Sequence, residues 1–500
     1  MADQPYTSKS EDHASKLVRM AWPMIVTQAS LALMQFADVW MVSHLGNHAL
    51  AAITPATLMV LAIATFGLGY LTAVNTLVGQ TFGAGDRRGC VLVTWQGIWS
   101  ACAIGILALA FFPSARNLFS LFGHPPEVLA LEVSYFEISL MAVLPQLLAV
   151  SIGNYFLATG QPKKAMVGTL VAVLSNIFLN YVLIFGALRI PALGFVGAAW
   201  GTLLASTIHG MLMLTMFLLQ RGARRLDTHH SRISRKALGQ LAKIGVHAGI
   251  QDSVELVAWG VVLVYLIGQF GDIHLAAASV LIRCMQLSFL PADGFGSALT
   301  ALVANAIGAG RKDQAQELTR LGFLMTASYM VSIAIAVYVF RYPIMRFFTD
   351  DPKVISIGAQ AMVYVSLFQV FDAMNVTFSN ALQGAGDSAW PSWTNAILSS
   401  VILLGGGSLV VHLLPSLESF GIWSMAALYI AAQGISLTLR WHYGPWRLID
   451  LRNEPQLVFG SRENSEQDLE AIRKAYAEEA RLRTPSPTVS DPSSDTGEFN

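Results

Sequence analysis

Charge is scarce in this sequence. Asp, Glu, Lys and Arg make up 12% of its 500 residues, against about a quarter in soluble globular chains. That shortage excludes a water-facing surface over most of the molecule. It also excludes a soluble helical protein, whose helices set charged faces against apolar ones. The two signs cancel, 31 basic against 31 acidic, so no bulk field recruits nucleic acid or acidic partners. Cysteine is nearly missing as well. Cys90, Cys102 and Cys284 are odd in number and lack knuckle spacing, which argues against a disulfide framework and a zinc site. No His or carboxylate cluster has the spacing of a catalytic metal centre, so neither enzymatic chemistry nor a resident cofactor is expected.

What is abundant is apolar sequence, 54% of the chain, in runs long enough to cross a bilayer at about 20 residues each. The pattern predicts an all-α polytopic membrane protein with spans near 17–43, 51–80, 91–112, 128–158, 165–188, 195–219, 243–268, 275–306, 319–340, 354–383, 391–413 and 420–440. Pro23, Pro55, Pro145 and Pro291 fall inside spans, where neighbouring helices tolerate the kink. Basic residues crowd the loops of one side, among them Arg87, Arg88, Lys163, Lys164, Arg224, Arg225, Arg311 and Lys312. The other side holds only Arg116, Arg189, Arg341, Arg346 and Lys353. The bias predicts cytoplasmic termini and supports an even number of spans; the expected location is a bacterial inner membrane.

The chain also repeats itself. GAG at 83–85 recurs at 308–310, LFGHPPEV (121–128) resembles FFTDDPKV (347–354), ATGQ (158–161) resembles GAGD (384–387), and LGFVGAAW (193–200) resembles LESFGIWS (417–424). All four lie 224 to 226 residues apart and in order. Six spans per unit is even, so the expectation is two pseudo-symmetric six-helix lobes related by an axis along the membrane normal, with substrate at their interface. The expected organisation is a cytoplasmic segment (1–16), a first lobe (17–219), a basic cytoplasmic linker (220–242), a second lobe (243–440) and a cytoplasmic tail (441–500) whose composition cannot build a core.

Ionisable groups inside spans are the candidate site, because each costs at least about 3 kcal/mol at mid-bilayer. Asp38 lies in span 1, Glu255 in span 7 and Asp372 in span 10. At 1.5 Å per residue, Glu255 sits about 18 Å past Lys243 and Asp372 about 21 Å before Gly386, a shared depth, whereas Asp38 is about 9 Å before His44. The repeat does not duplicate them: Gln146 stands opposite Asp372 and Ser30 opposite Glu255. Ion binding is therefore expected in the second lobe. Asp252, one turn before Glu255, and Asp293 with Arg283 in span 8 are further candidates, the last two as a functional pair or as static packing. Asn176 and Asn180, spaced i, i+4 in span 5, join them, as amides that either bind or hydrogen-bond across membrane helices. Met and aromatic residues facing the lumen would make an adaptable apolar pocket for cations.

These motifs resemble the multidrug and toxic compound extrusion (MATE) family, most closely its NorM-like branch. The resemblance covers about 17–440 and rests on FADVWMVSHLG, GQTFGAGDRR, NIFLNYVLIFG, the span-7 glutamate, IGAGRKD and FDAMNVTFSNALQGAGD. It implies a monomeric secondary antiporter exporting small cationic or amphipathic compounds against H⁺ or Na⁺. The family's membrane acids would be Asp38, Glu255 and Asp372, with any Na⁺ at Glu255 and Asp372. One departure bears on the ion. NorM-like sodium sites carry a tyrosine where this chain has Phe368. A flippase of lipid-linked or polysaccharide precursors shares the implied fold, but would want a basic cavity, whereas the buried charges here are mostly acidic. A GxxxxGK[ST] phosphate loop is absent, so ATP is not the driver.

Overall fold

The computed structural model describes residues 6–220 and 231–449, which belong to one compact unit. The expectations for the linker between 221 and 230 and for the tail beyond 449 lie outside the described residues. Twelve helices are long and apolar enough to span a membrane. We number them α1 (His13–Ser43), α2 (Asn47–Gly83), α3 (Arg87–Ser120), α4 (Pro126–Ala158), α5 (Pro162–Phe185), α6 (Phe195–Leu218), α7 (Arg235–Phe270), α8 (Asp272–Gly308), α9 (Lys312–Phe348), α10 (Pro352–Ala385), α11 (Ala389–Leu413) and α12 (Pro415–Tyr443). Several start earlier than hydropathy predicts. The helix of α7 begins at Arg235, eight residues before the expected 243, with Ser234 accepting from the Ala237 amide as its N-cap. Arg and Lys are good helix formers, so the helix continues past the end of its apolar stretch.

The two lobes, α1–α6 and α7–α12, repeat the same packing. The pairing of α2 with α4 and of α4 with α6 recurs as α8 with α10 and α10 with α12. Between lobes the pairings are exchanged: α1 packs on α8, and its counterpart α7 packs on α2. The turns repeat too. Gly46 and Gly271 have φ of 100° and 93°, and Gly85 and Gly310 have 83° and 75°. More telling is Glu418, which keeps φ 49° where its counterpart Gly194 has 59°. A glutamate rarely adopts this region, so the turn geometry, not the residue type, is what the two halves share here.

The lobes meet at one end. Every hydrogen bond joining them among the described residues lies in the halves of the helices that lead to the basic turns at 83–87, 158–162, 308–312 and 385–389. Thr76 Oγ1 donates to the Gln383 carbonyl (3.0 Å), Gln383 Nε2 to Thr72 Oγ1 (2.7 Å) and Asn75 Nδ2 to the Ser297 carbonyl (3.2 Å). Gln80 Nε2 donates to the Gly384 carbonyl at 3.0 Å, and Asn305 Nδ2 to the Ala158 carbonyl at 3.1 Å. These last two are one interaction used twice, since Gln80 and Asn305 are repeat counterparts, as are Ala158 and Gly384. An apolar cluster containing Leu17, Met20, Leu157, Leu302, Leu382 and Trp441 adjoins the same end. Helix backbones come close there because side chains are missing. A Cβ on Gly83 would run into the Asn305 carbonyl oxygen, and one on Gly308 into that of Gln80. Along α7, Gly245 and Gly249 form a GxxxG face on which the carbonyls of Tyr70 and Phe66 rest; a Cβ at either would lie 2.6 Å from them.

Candidate functional site

The expected site residues fall into two separate groups, one in each lobe. In the first lobe α1 brings Asp38 to the face of α5. Asn180 Nδ2 donates to Asp38 Oδ1 at 2.6 Å and also approaches Asn176 Oδ1 at 3.3 Å. Asn176 in turn donates to Thr202 Oγ1 of α6 (3.4 Å), whose hydroxyl donates to the Ala198 carbonyl. The i, i+4 spacing on α5 stacks the two fully buried asparagines on one face, so the chain of amides spans from α1 to α6. Tyr135 of α4, buried, adjoins Asp38 with its hydroxyl flanked by Thr57, Ser139 and Thr202. Tyr135 was not expected from the sequence; its signal is a hydroxyl nearly three turns before the Pro145 kink, weak among 13 tyrosines.

In the second lobe four carboxylates gather. Asp252 and Glu255 lie one turn apart on α7, Asp293 is on α8 and Asp372 on α10; Glu255 and Asp293 lie within electrostatic reach of each other and of both Asp252 and Asp372. Asp252 also touches the first lobe, resting against the bare backbone of Gly69 on α2. Asn395 of α11 ties Glu255 to α12: its Nδ2 donates to Glu255 Oε2 (3.3 Å) and to the Tyr429 hydroxyl (3.2 Å). Phe368 is fully buried, and no oxygen comes from that position. The hydroxyl in this cluster comes instead from Tyr429, on a different helix.

This group is short of donors. Asp372 Oδ2, both polar atoms of Gln369, Asn395 Oδ1 and Gln433 Oε1 are buried without a hydrogen-bond partner among the described residues. Gln369 is one turn before Asp372 on α10, and Gln433 is one turn after Tyr429 on α12, so helical spacing places them on the faces of those acids and hydroxyls. An unsatisfied buried polar atom costs about 1–3 kcal/mol. Here several of them adjoin the acids of the second lobe. Asn395, Gln369 and Gln433 were missed in the sequence, although the rule that picked the acids, polar groups amid apolar runs, applies to them. Two π-helical stretches, Val262–Leu266 and Ser399–Gly406, follow Glu255 and Asn395 within two turns. Such wide turns free backbone carbonyls and recur at functional sites.

Arg283 does not pair with Asp293. It is exposed, and among the described residues no carboxylate lies within ion-pair distance of it. No group of three His, Cys, Asp or Glu close enough to hold a metal ion occurs among the described residues.

Comparison with known proteins accords with this architecture. The family model described as MatE matches residues 23–182 and 253–405, one stretch in each lobe. The probable multidrug resistance protein NorM of Chromobacterium violaceum is 26% identical over 439 residues, covering 85% of this chain and 92% of the relative. The multidrug resistance protein PmpM of Pseudomonas aeruginosa is 27% identical, over 75% of this chain and 79% of its own. Among solved structures, a MOP superfamily transporter from Pyrococcus furiosus superposes with a TM-score of 0.79 at 18% identity, over 87% of this chain and 97% of that one. A eukaryotic MATE transporter gives 0.78 at 19% identity, over 88% and 97%. At such identities the two structures speak for the fold alone. With two-lobed spans, paired turns and a family match over more than half its length, the chain is an integral membrane protein that belongs to the MatE family of transporters.

Proposed function

We propose that this protein is a secondary antiporter that exports cationic, amphipathic compounds in exchange for an inward-moving cation, and that H⁺ rather than Na⁺ is the coupling ion. The observation that carries this reading is the second-lobe cluster: Asp252, Glu255, Asp293 and Asp372 together, with orphaned oxygens on Asp372, Asn395 and Gln433. Carboxylates that reach one another electrostatically in a low-dielectric interior resist ionising together. A proton, a sodium ion or a cationic substrate relieves the same repulsion, so the ligands compete, and competition is what couples the two flows. H⁺ is favoured because Phe368 withholds an oxygen and because the tyrosine hydroxyl present, that of Tyr429, is already engaged with Asn395. Inward movement of one elementary charge releases about 2.3 kcal/mol per 100 mV.

The seal at the basic end supplies the other half of the mechanism. If the basic turns face the cytoplasm, as the positive-inside rule directs, this conformation is shut inside and loads its ion from outside. Rocking the lobes apart at that end breaks the Gln80 and Asn305 hydrogen bonds and presents the site inward. The relatives' names as multidrug resistance proteins support drug-like cargo. A precursor flippase is less well supported, since the cluster is acidic and would repel a pyrophosphate. The test is uptake of a fluorescent organic cation into everted vesicles under a pH gradient and, separately, a sodium gradient at clamped pH. Uptake driven by the pH gradient and lost in Glu255→Gln supports the proposal. Uptake that follows only sodium overturns the ion, and uptake indifferent to both overturns the antiporter.

A further inference from the structure

Outside both acid groups, the first lobe has a pocket of about 780 Å³ at its basic end, between the ends of α2, α4 and α6 and the starts of α3 and α5. Arg87, Lys164, Gln161 and Gln220 line it, with Phe82 and Met216 as apolar wall. The repeat supplies an internal control. The second lobe has a groove of about 540 Å³ at the equivalent place, where Trp390, Tyr443 and Gly444 stand for Lys164, Leu219 and Gln220. That groove neutralises itself. Arg440 donates to Asp387 Oδ2 at 2.8 Å and lies 4.7 Å over the Trp390 ring. Lys312, the counterpart of Arg87, donates to the Arg447 carbonyl.

The first lobe has none of this compensation. Gln161 stands where the second lobe has Asp387. The charged groups of Arg87 and Lys164 have no ion pair or hydrogen-bond acceptor among the described residues; they lie over rings, Arg87 over Phe82 at 3.8 Å and Lys164 over Phe156 at 4.9 Å. The neighbouring acid, Asp86, is engaged in capping α3 through the Gly89 amide at 2.8 Å. Gln220 Oε1 accepts from the Tyr155 hydroxyl (3.0 Å), which leaves its buried Nε2 a donor without a partner. Two unpaired cations and an idle amide donor in a half-apolar pocket call for an anion with an apolar body. Arg and Lys together with N–H donors are the usual set for phosphate.

We propose that this pocket binds a phosphate-bearing amphiphile, its phosphate held by Arg87, Lys164 and Gln220 and its apolar part against Phe82 and Met216. Two sources share that chemistry: the headgroup of an acidic phospholipid in the adjacent leaflet, and a soluble organic phosphate. The full chain would be purified in a phosphate-free maltoside detergent, stripped of lipid, and titrated with radiolabelled phenyl phosphate. In parallel, nanodiscs containing phosphatidylglycerol would be used and retained lipid counted by native mass spectrometry. Saturable binding of either probe is expected, and which one binds identifies the source. Arg87→Gln and Lys164→Gln should each weaken it about tenfold, the size of one charge-assisted contact. Arg87→Lys should keep most of it. Gln161→Asp, which installs the second lobe's own acid, should abolish binding while the protein still elutes as a monodisperse species. If neither probe binds wild type saturably, or if Gln161→Asp binds as well as wild type, the proposal is wrong.

Discussion

The two lobes share one backbone plan and hold different polar chemistry. In the first, Asp38 heads an ordered line of donors and acceptors, Asn180, Asn176 and Thr202, in which Asn180 Oδ1 is left without a partner among the described residues. In the second, four carboxylates face orphaned amide and carboxylate oxygens, and π-helical turns interrupt two of the helices. A satisfied network rigidifies, whereas each unpartnered buried polar atom is costly, and the second lobe holds more of them around its acids. The difference teaches that the two halves share the turns and the paired amide contacts that join them, while the interior of each half carries its own polar residues.

The sharpest way to break that comparison is to neutralise one acid at a time. Glu255→Gln and Asp372→Asn should each lower gradient-driven efflux by at least about tenfold, the loss of one charge-assisted contact. Asp38→Asn should act mainly on substrate affinity. Counterflow and driven uptake in proteoliposomes, with folding checked by gel filtration, separate the two. Coupling that survives in both second-lobe variants and disappears with Asp38 would reverse the assignment.

The glycines of the seal come next. Gly308→Ala pushes a methyl into the Gln80 backbone and should disfavour the closed basic end by about 2 kcal/mol, within the range for overpacking. Gly83→Ala, its repeat counterpart, should do the same from the other side. Distances between spin labels at the basic ends of α2 and α8 would lengthen in both; a variant that stays closed refutes the seal.

Removing an amide is gentler. Gln80→Ala and Asn305→Ala should each cost about 1 kcal/mol, roughly fivefold in the ratio of closed to open. Their equality is the point, because the two hydrogen bonds are repeat copies. A tenfold disparity between them would show that the lobes do not share the latch equally.

Phe368→Tyr asks whether the missing oxygen sets the ion. The position is fully buried, so a hydroxyl there costs about 1–3 kcal/mol unless it finds a partner. Sodium-driven uptake should rise relative to wild type; no change would leave the ion preference to other residues. The smallest expected effect is at the turn before α6. Gly194→Ala should destabilise the protein by roughly 1 kcal/mol, the lower end for such backbone strain. Glu418→Gly at the equivalent turn should be near neutral, since relief of the same strain offsets the lost contact between Glu418 and His274. Thermal unfolding in detergent reads both.

Much was legible before any fold was drawn. Hydropathy and charge bias depend on composition along the helix axis, so the twelve spans, the basic end and the identity of the costly acids are one-dimensional properties. The 225-residue repeat is one as well. The limits of that reading are equally specific. Helix ends moved outward at Arg235 because helix propensity outlasts hydropathy. Asn395, Gln369 and Gln433 went unnoticed because single amides give no signal until their neighbours are known.

What only the tertiary structure decided is rotation about each axis and which ends of the lobes touch. Helix tilt and rotation are set by packing against neighbours rather than by span length. Asp252 faces Gly69, Asn395 reaches both Glu255 and Tyr429, and Arg283 stands apart from Asp293 for that reason. The same holds for the seal. Gly83 and Gly308 are ordinary turn-end glycines in the sequence, and only the packing shows that each lets the other lobe's backbone come within contact distance.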